Sequence, residues 1–260
     1  MLLLTVAIGL VMAAVMACGW AYQRAVGNGG WTDVFWTFGT GATCTVACLV
    51  PLDAGAWWRQ GMVAALMAVW SLRLGLYIAR RVATGREDVR YATLRSLWGA
   101  AFQTKMFGLL LVQAPVAALL GIAVLYAAHQ PDPEFRAADV LGLLILAGAI
   151  LGEGLADEQM RRFKTDAAHG AVCDRGLWAW SRHPNYFFEI LGWLAYPVIG
   201  FDPSNGWSLL AFLAPVLMFA VIRYATGVPP LEEAMVRSKG DAYRAYQARV
   251  SALLPWPPRA

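Results

Sequence analysis

Seven apolar stretches, each long enough to cross the hydrocarbon core of a bilayer as a helix, constrain this 260-residue chain more than any other feature. They lie near residues 1 to 23, 31 to 50, 61 to 80, 101 to 128, 138 to 158, 185 to 201 and 206 to 226. Hydrophobic residues make up 59% of the chain and charged residues 15%, against about 45–50% and about 25% in a soluble domain. We therefore predict an all-α polytopic membrane protein with seven transmembrane helices, forming one domain over residues 1–260. The second and sixth stretches are short, so a count of six helices stays open.

The distribution of basic residues predicts the orientation of these helices. Most of the 21 Lys and Arg fall in the segments that follow the first, third, fifth and seventh stretches, whereas the opposite loops hold only Arg59 and Arg136. By the positive-inside rule the basic side is cytoplasmic, which places the N-terminus outside and the C-terminus inside. The net charge of +4 therefore requires no nucleic-acid partner.

Two polar stripes interrupt the apolar pattern. Glu153, Asp157 and Arg161 are spaced four apart at the end of the fifth stretch, and Asn185, Glu189 and Trp193 repeat that spacing in the sixth. Residues four apart share one helical face, so each stripe leads inward from the cytoplasmic side. The stripes are either a ligand site or an interhelical hydrogen-bond network that fixes packing.

A basic cluster at the cytoplasmic ends of the same helices favours a ligand. Its members are Arg161, Arg162, Lys164, Arg175, Arg182 and Arg223. Guanidinium groups capture phosphate through paired hydrogen bonds, which suits a phosphorylated cofactor. Positive-inside bias and contact with anionic lipid account for part of the cluster.

Two further segments have both a structural and a functional interpretation. The loop GREDVRY, residues 85–91, is either a solvated loop of alternating charge or part of a site. The segment Leu231–Val250 predicts an amphipathic helix pair on the cytoplasmic face, broken near Gly240, which is either a surface anchor or a lid over a cofactor. Within the third stretch, Arg73 and Tyr77 are one turn apart, and Arg73 should face a polar cavity or a carboxylate.

Several familiar chemistries are excluded. The segment FGTGATC lacks the third glycine of a dinucleotide fingerprint and lies in an apolar stretch, and no P-loop, G-x-S-x-G or H-E-x-x-H motif is present. The three histidines, His129, His169 and His183, lie in different loops, so we predict no metal site.

The motifs together resemble a known family. The run DRGLW followed by SRHPNYFFE, the upstream EGLADEQMRRFK, the loop GREDVRYATLR and the tail GVPPLEEAMVRSKGDAYRAYQARV are similar to the bacterial branch of the membrane-embedded steroid 5-alpha-reductases, from about Asp33 to the C-terminus. The RHPNY and EE...Y..Y elements also occur in isoprenylcysteine carboxyl methyltransferases and sterol reductases. The ED-RY loop and the E...D.Q...F segment favour the reductases.

The resemblance implies a fold, a location and a cofactor. Members of the family have seven spans with cofactor-covering loops on the cytosolic side, bind NADPH within the membrane domain, and transfer hydride to the beta carbon of an enone. For this chain it implies a bacterial inner-membrane monomer with a substrate-side part at about residues 1–100 and a cofactor-side part at about 101–260. Its substrate would be a 3-oxo-delta-4 steroid or another lipidic enone, which enters from the membrane lipids.

The resemblance also implies roles for individual residues. Tyr77 matches the tyrosine that hydrogen-bonds the substrate ketone, and Asp33 takes the position of its carboxylic partner, which the family supplies from a Gln-Glu pair that this chain lacks. Arg161, from the basic cluster, joins the candidate cofactor contacts. The others are Asp157, Lys164, Arg182, His183, Asn185, Tyr186, Glu189, Trp193 and Arg223.

We therefore expect an NADPH-dependent oxidoreductase acting on a CH-CH group. A Tyr O–H and a protonated carboxyl suit this reaction, because hydride arriving at the beta carbon places negative charge on the ketone oxygen. Two alternatives stay open. One is an S-adenosylmethionine-dependent methyltransferase of a membrane-borne substrate, and the other is a sterol-binding membrane protein without turnover.

Overall fold

The chain folds into helices, as its apolar pattern predicts. A computed structural model describes residues 1–52, 55–85, 87–166 and 171–259, so Arg86 and His169 lie outside the described residues. Helix accounts for 81% of the structure, and within the described ranges the only β-type pairing is an isolated bridge between Ser181 and Ser251. The prediction of an all-α fold is confirmed.

Ten α-helices follow one another along the described part of the chain. They are α1 (Leu2–Val26), α2 (Trp31–Cys48), α3 (Trp57–Thr84), α4 (Val89–Trp98), α5 (Phe102–Ala128), α6 (Ala137–Asp166), α7 (Pro184–Gly200), α8 (Leu213–Ala220), α9 (Val228–Lys239) and α10 (Asp241–Arg249). Short 3-10 segments occupy Gly99–Ala101, Gly176–Ala179 and Gly206–Phe212, and a π-helical turn, Val221–Ala225, continues α8.

Five helical segments of the described chain are long and apolar enough to cross a membrane. They are Leu2–Val26, Trp57–Thr84, Val89–Ala128, Ala137–Asp166 and Gly206–Lys239. These segments support the predicted membrane character and include five of the seven predicted spans.

The two predicted spans outside that set correspond to α2 and α7. Five threonines lower the hydropathy of α2, and α7 has only 17 residues. At 1.5 Å per residue a helix of that length is shorter than the roughly 30 Å hydrocarbon core.

The chain divides into two compact units. Unit 1 comprises Met1–Gly142 and Tyr196–Ala214, and unit 2 comprises Leu143–Ala195 and Pro215–Ala260. In unit 1 the long helices α1, α2, α3 and α5 pack against one another.

Glycines allow the closest approach within unit 1. A Cβ atom on Gly41 of α2 would lie 2.1 Å from the side chain of Ser71 on α3, and one on Gly75 would lie 2.6 Å from the ring of Phe38. The Ser71 hydroxyl donates to the Thr37 carbonyl at 3.1 Å. Small residues at such positions let helix backbones approach each other, as membrane helices require.

A fully buried ion pair fixes one end of unit 1. Arg59 and Asp139 both have 0% exposed side chains, and Arg59 donates through Nε and Nη2 to the two Asp139 oxygens at 3.1 and 3.0 Å. Arg59 also donates to the carbonyls of Gln130, Asp132 and Glu134 and stacks on Trp58. Since this one side chain satisfies three loop carbonyls, it holds the connection between α5 and α6 against the start of α3.

In unit 2, α6 and α7 pack through two glycines. A Cβ on Gly152 would lie 2.3 Å from the Phe188 ring, and one on Gly192 would lie 3.4 Å from both Leu146 and Ala149. Towards the C-terminus the predicted helix pair is confirmed as α9 and α10, separated by Gly240 at φ 56°. That backbone conformation favours glycine, which explains why the helix breaks there.

Gly41→Ala is expected to lower the melting temperature of the detergent-solubilised protein. The added methyl group overlaps Ser71, and overpacking of this kind costs about 1–3 kcal/mol. Gly61→Ala on α3 is the control, because a Cβ there meets no atom within 4 Å. Equal melting temperatures for the two variants would contradict the close α2–α3 contact.

Candidate functional site

The polar stripe of α6 is buried in unit 2. Glu153 and Asp157 are 6% and 5% exposed and lie one helical turn apart, as their spacing predicts. A buried carboxylate requires hydrogen-bond donors or a cation, because its desolvation is costly.

The stripe of α7 is buried as well. Glu189 and Trp193 are 8% and 2% exposed, and the Trp193 indole Nε1 donates to Glu189 Oε1 at 2.9 Å. Asn185 lies half-buried one turn earlier. The Gly152–Phe188 contact brings the two stripes to the same level, because Glu153 and Glu189 are the next residues on their helices.

The start of α7 carries an aromatic pair. The rings of His183 and Tyr186 stack with centroids 5.6 Å apart and an interplanar angle of 13°. The Ser181 hydroxyl accepts from the His183 backbone N–H at 3.1 Å, and Pro184 begins the helix. Proline suits that first position, since its ring fixes a helical φ and it needs no N–H partner there.

Arg182 makes its hydrogen bonds within unit 2. Its Nε and Nη2 donate to the two oxygens of Glu232 at 2.6 and 3.1 Å. Its Nη1 donates to the carbonyls of Gln247 and Val250. Arg182 therefore ties the RHPN segment to α9 and α10, and its predicted contact with a cofactor stays a prediction.

Glu232 collects the donors of this network, which we call the Glu232 clamp: Arg182, His183 and Gln247 around one carboxylate. His183 Nε2 lies 3.2 Å from Oε1, and Gln247 Nε2 donates to Oε2 at 3.0 Å. The sequence pattern did not single out Glu232 or Gln247 as partners, because each lies 50 or more residues from Arg182. The opposite charges of Arg182 and of the pair Glu232 and Glu233 were the available signal.

Tyr246 adds a second tie between the same segments. Its hydroxyl donates to the Trp178 carbonyl at 2.5 Å, and the Ser181 hydroxyl donates to the Leu253 carbonyl at 2.8 Å. Burial raises the pKa of Tyr246, so the phenol stays protonated and can donate at neutral pH.

The cations of the basic cluster differ in their contacts. Arg161 and Arg162 both donate to Glu158, with closest distances of 2.6 and 2.7 Å. Lys164 is exposed, and Arg223 is half-buried with its guanidinium 5.3 Å from the centre of the Tyr224 ring.

A cavity of about 300 Å³ adjoins the C-terminal end of α6, and we call it the α6 cavity. Arg162 and Arg175 both line it, together with Gln159, Phe163, Asp166, Cys173 and Gly176. Gln159 fixes its wall by accepting from the Leu177 N–H at 3.0 Å, and the Trp178 indole donates to the Ala156 carbonyl at 3.0 Å. Two guanidinium groups at one cavity suit a phosphate group.

The two predicted catalytic residues belong to unit 1, whereas the ten predicted cofactor contacts belong to unit 2. Tyr77 is half-buried on α3, with the Arg73 guanidinium 5.8 Å from its ring centre. Asp33 lies in the first turn of α2. Its Oδ1 accepts from the Tyr91 hydroxyl at 2.6 Å and its Oδ2 from Arg90 at 2.7 Å. The role of Asp33 as a protonated acid stays a prediction.

The described acidic side chains of the GREDVRY loop, Glu87 and Asp88, are paired rather than simply solvated. Glu87 accepts from the Gly29 N–H at 2.7 Å and from Arg95 at 2.8 Å. Asp88 caps α4 by accepting from the Arg90 N–H at 3.0 Å. Burial alone would raise the pKa of Asp88, but the charge and hydrogen bonds of Arg90 outweigh it and lower that pKa. The loop is thus a fixed support for Asp33.

Comparison with known proteins assigns the chain to a family. Residues 19–250 match the family model described as "Protein of unknown function (DUF1295)". The chain belongs to the DUF1295 family. All twelve predicted site residues lie within the matched range, so the DUF1295 region contains both the stripes and the clamp.

One curated relative of this DUF1295 chain is an uncharacterized protein of Schizosaccharomyces pombe, C594.04c. It is 27% identical over 233 residues, which covers 76% of this chain and 63% of the relative. The chain thus spans less than two thirds of that relative's length. No solved structure matches.

Glu232→Gln is expected to destabilise unit 2 by about 2–3 kcal/mol, because it leaves the Arg182 guanidinium without a charged acceptor. Thermal unfolding in detergent and trypsin cleavage of the C-terminal segment would measure the loss.

The adjacent Glu233→Gln is the matched control. Glu233 is 70% exposed and pairs with Arg237 on its own helix, so its removal should leave both readouts near those of the unaltered protein. Equal sensitivity of the two variants to trypsin would contradict the clamp.

Proposed function

We propose that this DUF1295 protein is an NADPH-dependent reductase that transfers hydride to the beta carbon of a lipidic enone, such as a 3-oxo-delta-4 steroid. The observation that best supports this function is the buried set of carboxylates and aromatic rings on α6 and α7, with the arginine-lined α6 cavity in the same unit. Polar groups at that depth are costly, and binding a cofactor is one function that compensates for the cost.

The residues of unit 2 have the chemistry that NADPH requires. Carboxylates such as Asp157 and Glu189 can accept hydrogen bonds from ribose hydroxyls and from a carboxamide, and Asn185 can both donate and accept. The stacked pair of His183 and Tyr186 offers an aromatic face to a planar ring. When bound, NADPH supplies the hydride, whereas the protein orients it and stabilises charge.

The cations divide into two roles in this proposal. Arg162 and Arg175, at the α6 cavity, would bind phosphate groups. Lys164, Arg161 and Arg223 would add positive charge near them, whereas Arg182 would act through the Glu232 clamp by positioning His183 and Asn185.

In unit 1, Tyr77 would donate a hydrogen bond to the substrate ketone oxygen as negative charge develops there. The Arg73 guanidinium beside its ring favours the build-up of negative charge at the phenol. Asp33 would serve as the carboxylic partner that the family resemblance assigns to Tyr77, with Tyr91 and Arg90 fixing its position.

The proposal includes a cellular setting. The protein would be a monomer in a bacterial inner membrane, with its N-terminus outside and its C-terminus in the cytoplasm. The helices α2 and α7 would complete seven spans. The arginines of the α6 cavity would then meet cytoplasmic NADPH, and the apolar substrate would come from the bilayer.

NADPH is expected to raise the melting temperature of the purified protein more than NADH or S-adenosylmethionine does. A ligand at 100 times its Kd stabilises the folded protein by about 2.7 kcal/mol.

The variant with Arg162→Gln and Arg175→Gln should lose most of the NADPH-induced rise in melting temperature and the preference for NADPH over NADH, because two phosphate partners are removed. Arg244→Gln is the control, since Arg244 is exposed on α10 and pairs with Asp241. Stabilisation by S-adenosylmethionine alone would favour a methyltransferase. If none of the three ligands stabilised the protein, a sterol-binding protein without turnover would be favoured.

Tyr77→Phe is expected to reduce turnover of a 3-oxo-delta-4 steroid by about 10²–10³-fold, the usual effect of removing one donor to a developing oxyanion. The NADPH-induced rise in melting temperature should persist, because the cofactor candidates lie on other helices. Tyr22→Phe, at a 41% exposed position of α1, is the control for loss of a hydroxyl. Unchanged steroid reduction in Tyr77→Phe would refute the assigned role.

A further inference from the structure

A second cavity lies at the C-terminal end of unit 2, apart from the residues assigned to cofactor phosphates. It has a volume of about 440 Å³, and we call it the tail cavity. It is lined by Arg182, Gln247, Ala248, Arg249, Val250, Ser251, Ala252, Trp256, Pro257 and Arg259. The chain reverses around it, because the Arg259 N–H donates to the Arg249 carbonyl at 2.9 Å. This hydrogen bond places two arginines side by side at one opening.

The charges around the tail cavity favour an anion. Among the described residues, three arginines line it and no Asp or Glu does. The charge of Arg182 is matched by Glu232, and Arg249 has the Asp174 carboxylate 3.7 Å away with both side chains about half exposed. Within the described part of the chain, the Arg259 guanidinium has no acceptor. Arg249 and Arg259 therefore supply the positive charge of the opening.

The surface beside the cavity is apolar and aromatic. Trp256 and Leu254 are 66% and 61% exposed, and Trp180 is 47% exposed. The Trp256 N–H donates to the Trp180 carbonyl at 3.0 Å, which holds the two indole-bearing segments together. Exposed Trp next to Arg is the composition typical of the boundary between a membrane and water. This neighbourhood favours a phosphate attached to a lipid over a phosphate free in solution.

We infer that the tail cavity binds the phosphate group of an anionic phospholipid, with Arg249 and Arg259 as its cationic partners and Trp256 against the glycerol and upper acyl chain. The inference does not rest on the proposed reductase function, because it uses neither NADPH nor the stripes of α6 and α7. Its consequence is that the α9–α10 segment, tied to Arg182 through Glu232, is also tied to the membrane surface.

The test uses isothermal titration calorimetry. Dihexanoyl-phosphatidylglycerol is titrated into the full-length protein, which is kept in a non-ionic detergent. Dihexanoyl-phosphatidylcholine carries the same phosphate beside a compensating ammonium group and should bind at least tenfold more weakly. Exchanging both Arg249 and Arg259 for Gln should weaken phosphatidylglycerol binding by about tenfold for each guanidinium removed. Arg244→Gln, an exposed position on the same α10 helix, should leave it unchanged.

Three results would overturn the inference. The two lipids could bind equally well, the double variant could retain the affinity for phosphatidylglycerol, or glycerol 3-phosphate could bind as tightly as the lipid. A fourth arm separates this site from the cofactor site. The double variant should keep its NADPH-induced rise in melting temperature, and loss of that rise would reassign the tail cavity to the cofactor. Both arginines are exposed, so the variant is expected to fold, and circular dichroism would check this.

Discussion

One carboxylate, Glu232 on α9, organises the polar end of unit 2. It accepts hydrogen bonds from Arg182 and Gln247 and lies 3.2 Å from His183 Nε2, so the segment that begins α7 has its position set by α9 and α10. The physical reason is the cost of leaving a guanidinium unpaired where little water is available. The aromatic stack of His183 and Tyr186, and the stripe that follows it, take their orientation from that pairing.

The same constraint applies to buried charges in unit 1. The Arg59–Asp139 pair and the bonds of Asp33 to Arg90 and Tyr91 match each cation to a carboxylate within one unit. Arg249 at the tail cavity is less closely paired, because its guanidinium lies 3.7 Å from the Asp174 carboxylate and both side chains are about half exposed. The family resemblance does not distinguish closely paired cations from less closely paired ones, because the sequence motif around an arginine such as Arg182 is the same in both cases.

Much of the fold could be predicted from the apolar pattern, because a long run of nonpolar residues has few alternatives to a membrane-crossing helix. The break at Gly240 and the burial of Glu153, Asp157, Glu189 and Trp193 follow from local spacing in the same way. The partners of Arg182, Arg59 and Asp33 could not be predicted, because they lie 50 to 80 residues away and no periodicity relates them. Nor could the α6 cavity be predicted, because no helical spacing relates Arg162 on α6 to Arg175, which lies after that helix ends.

The 50-residue separation of Arg182 and Glu232 has a consequence for biosynthesis. At about 5–20 residues per second, roughly 3–10 s pass between synthesis of the two residues. After Gly200 completes α7, the acceptor that fixes its first turn has still not been made. The nascent chain must therefore hold a charged, unclamped segment at the membrane surface until α9 emerges. Assembly of unit 2 is completed from its C-terminal end, after the apolar helices of unit 1 have been synthesised.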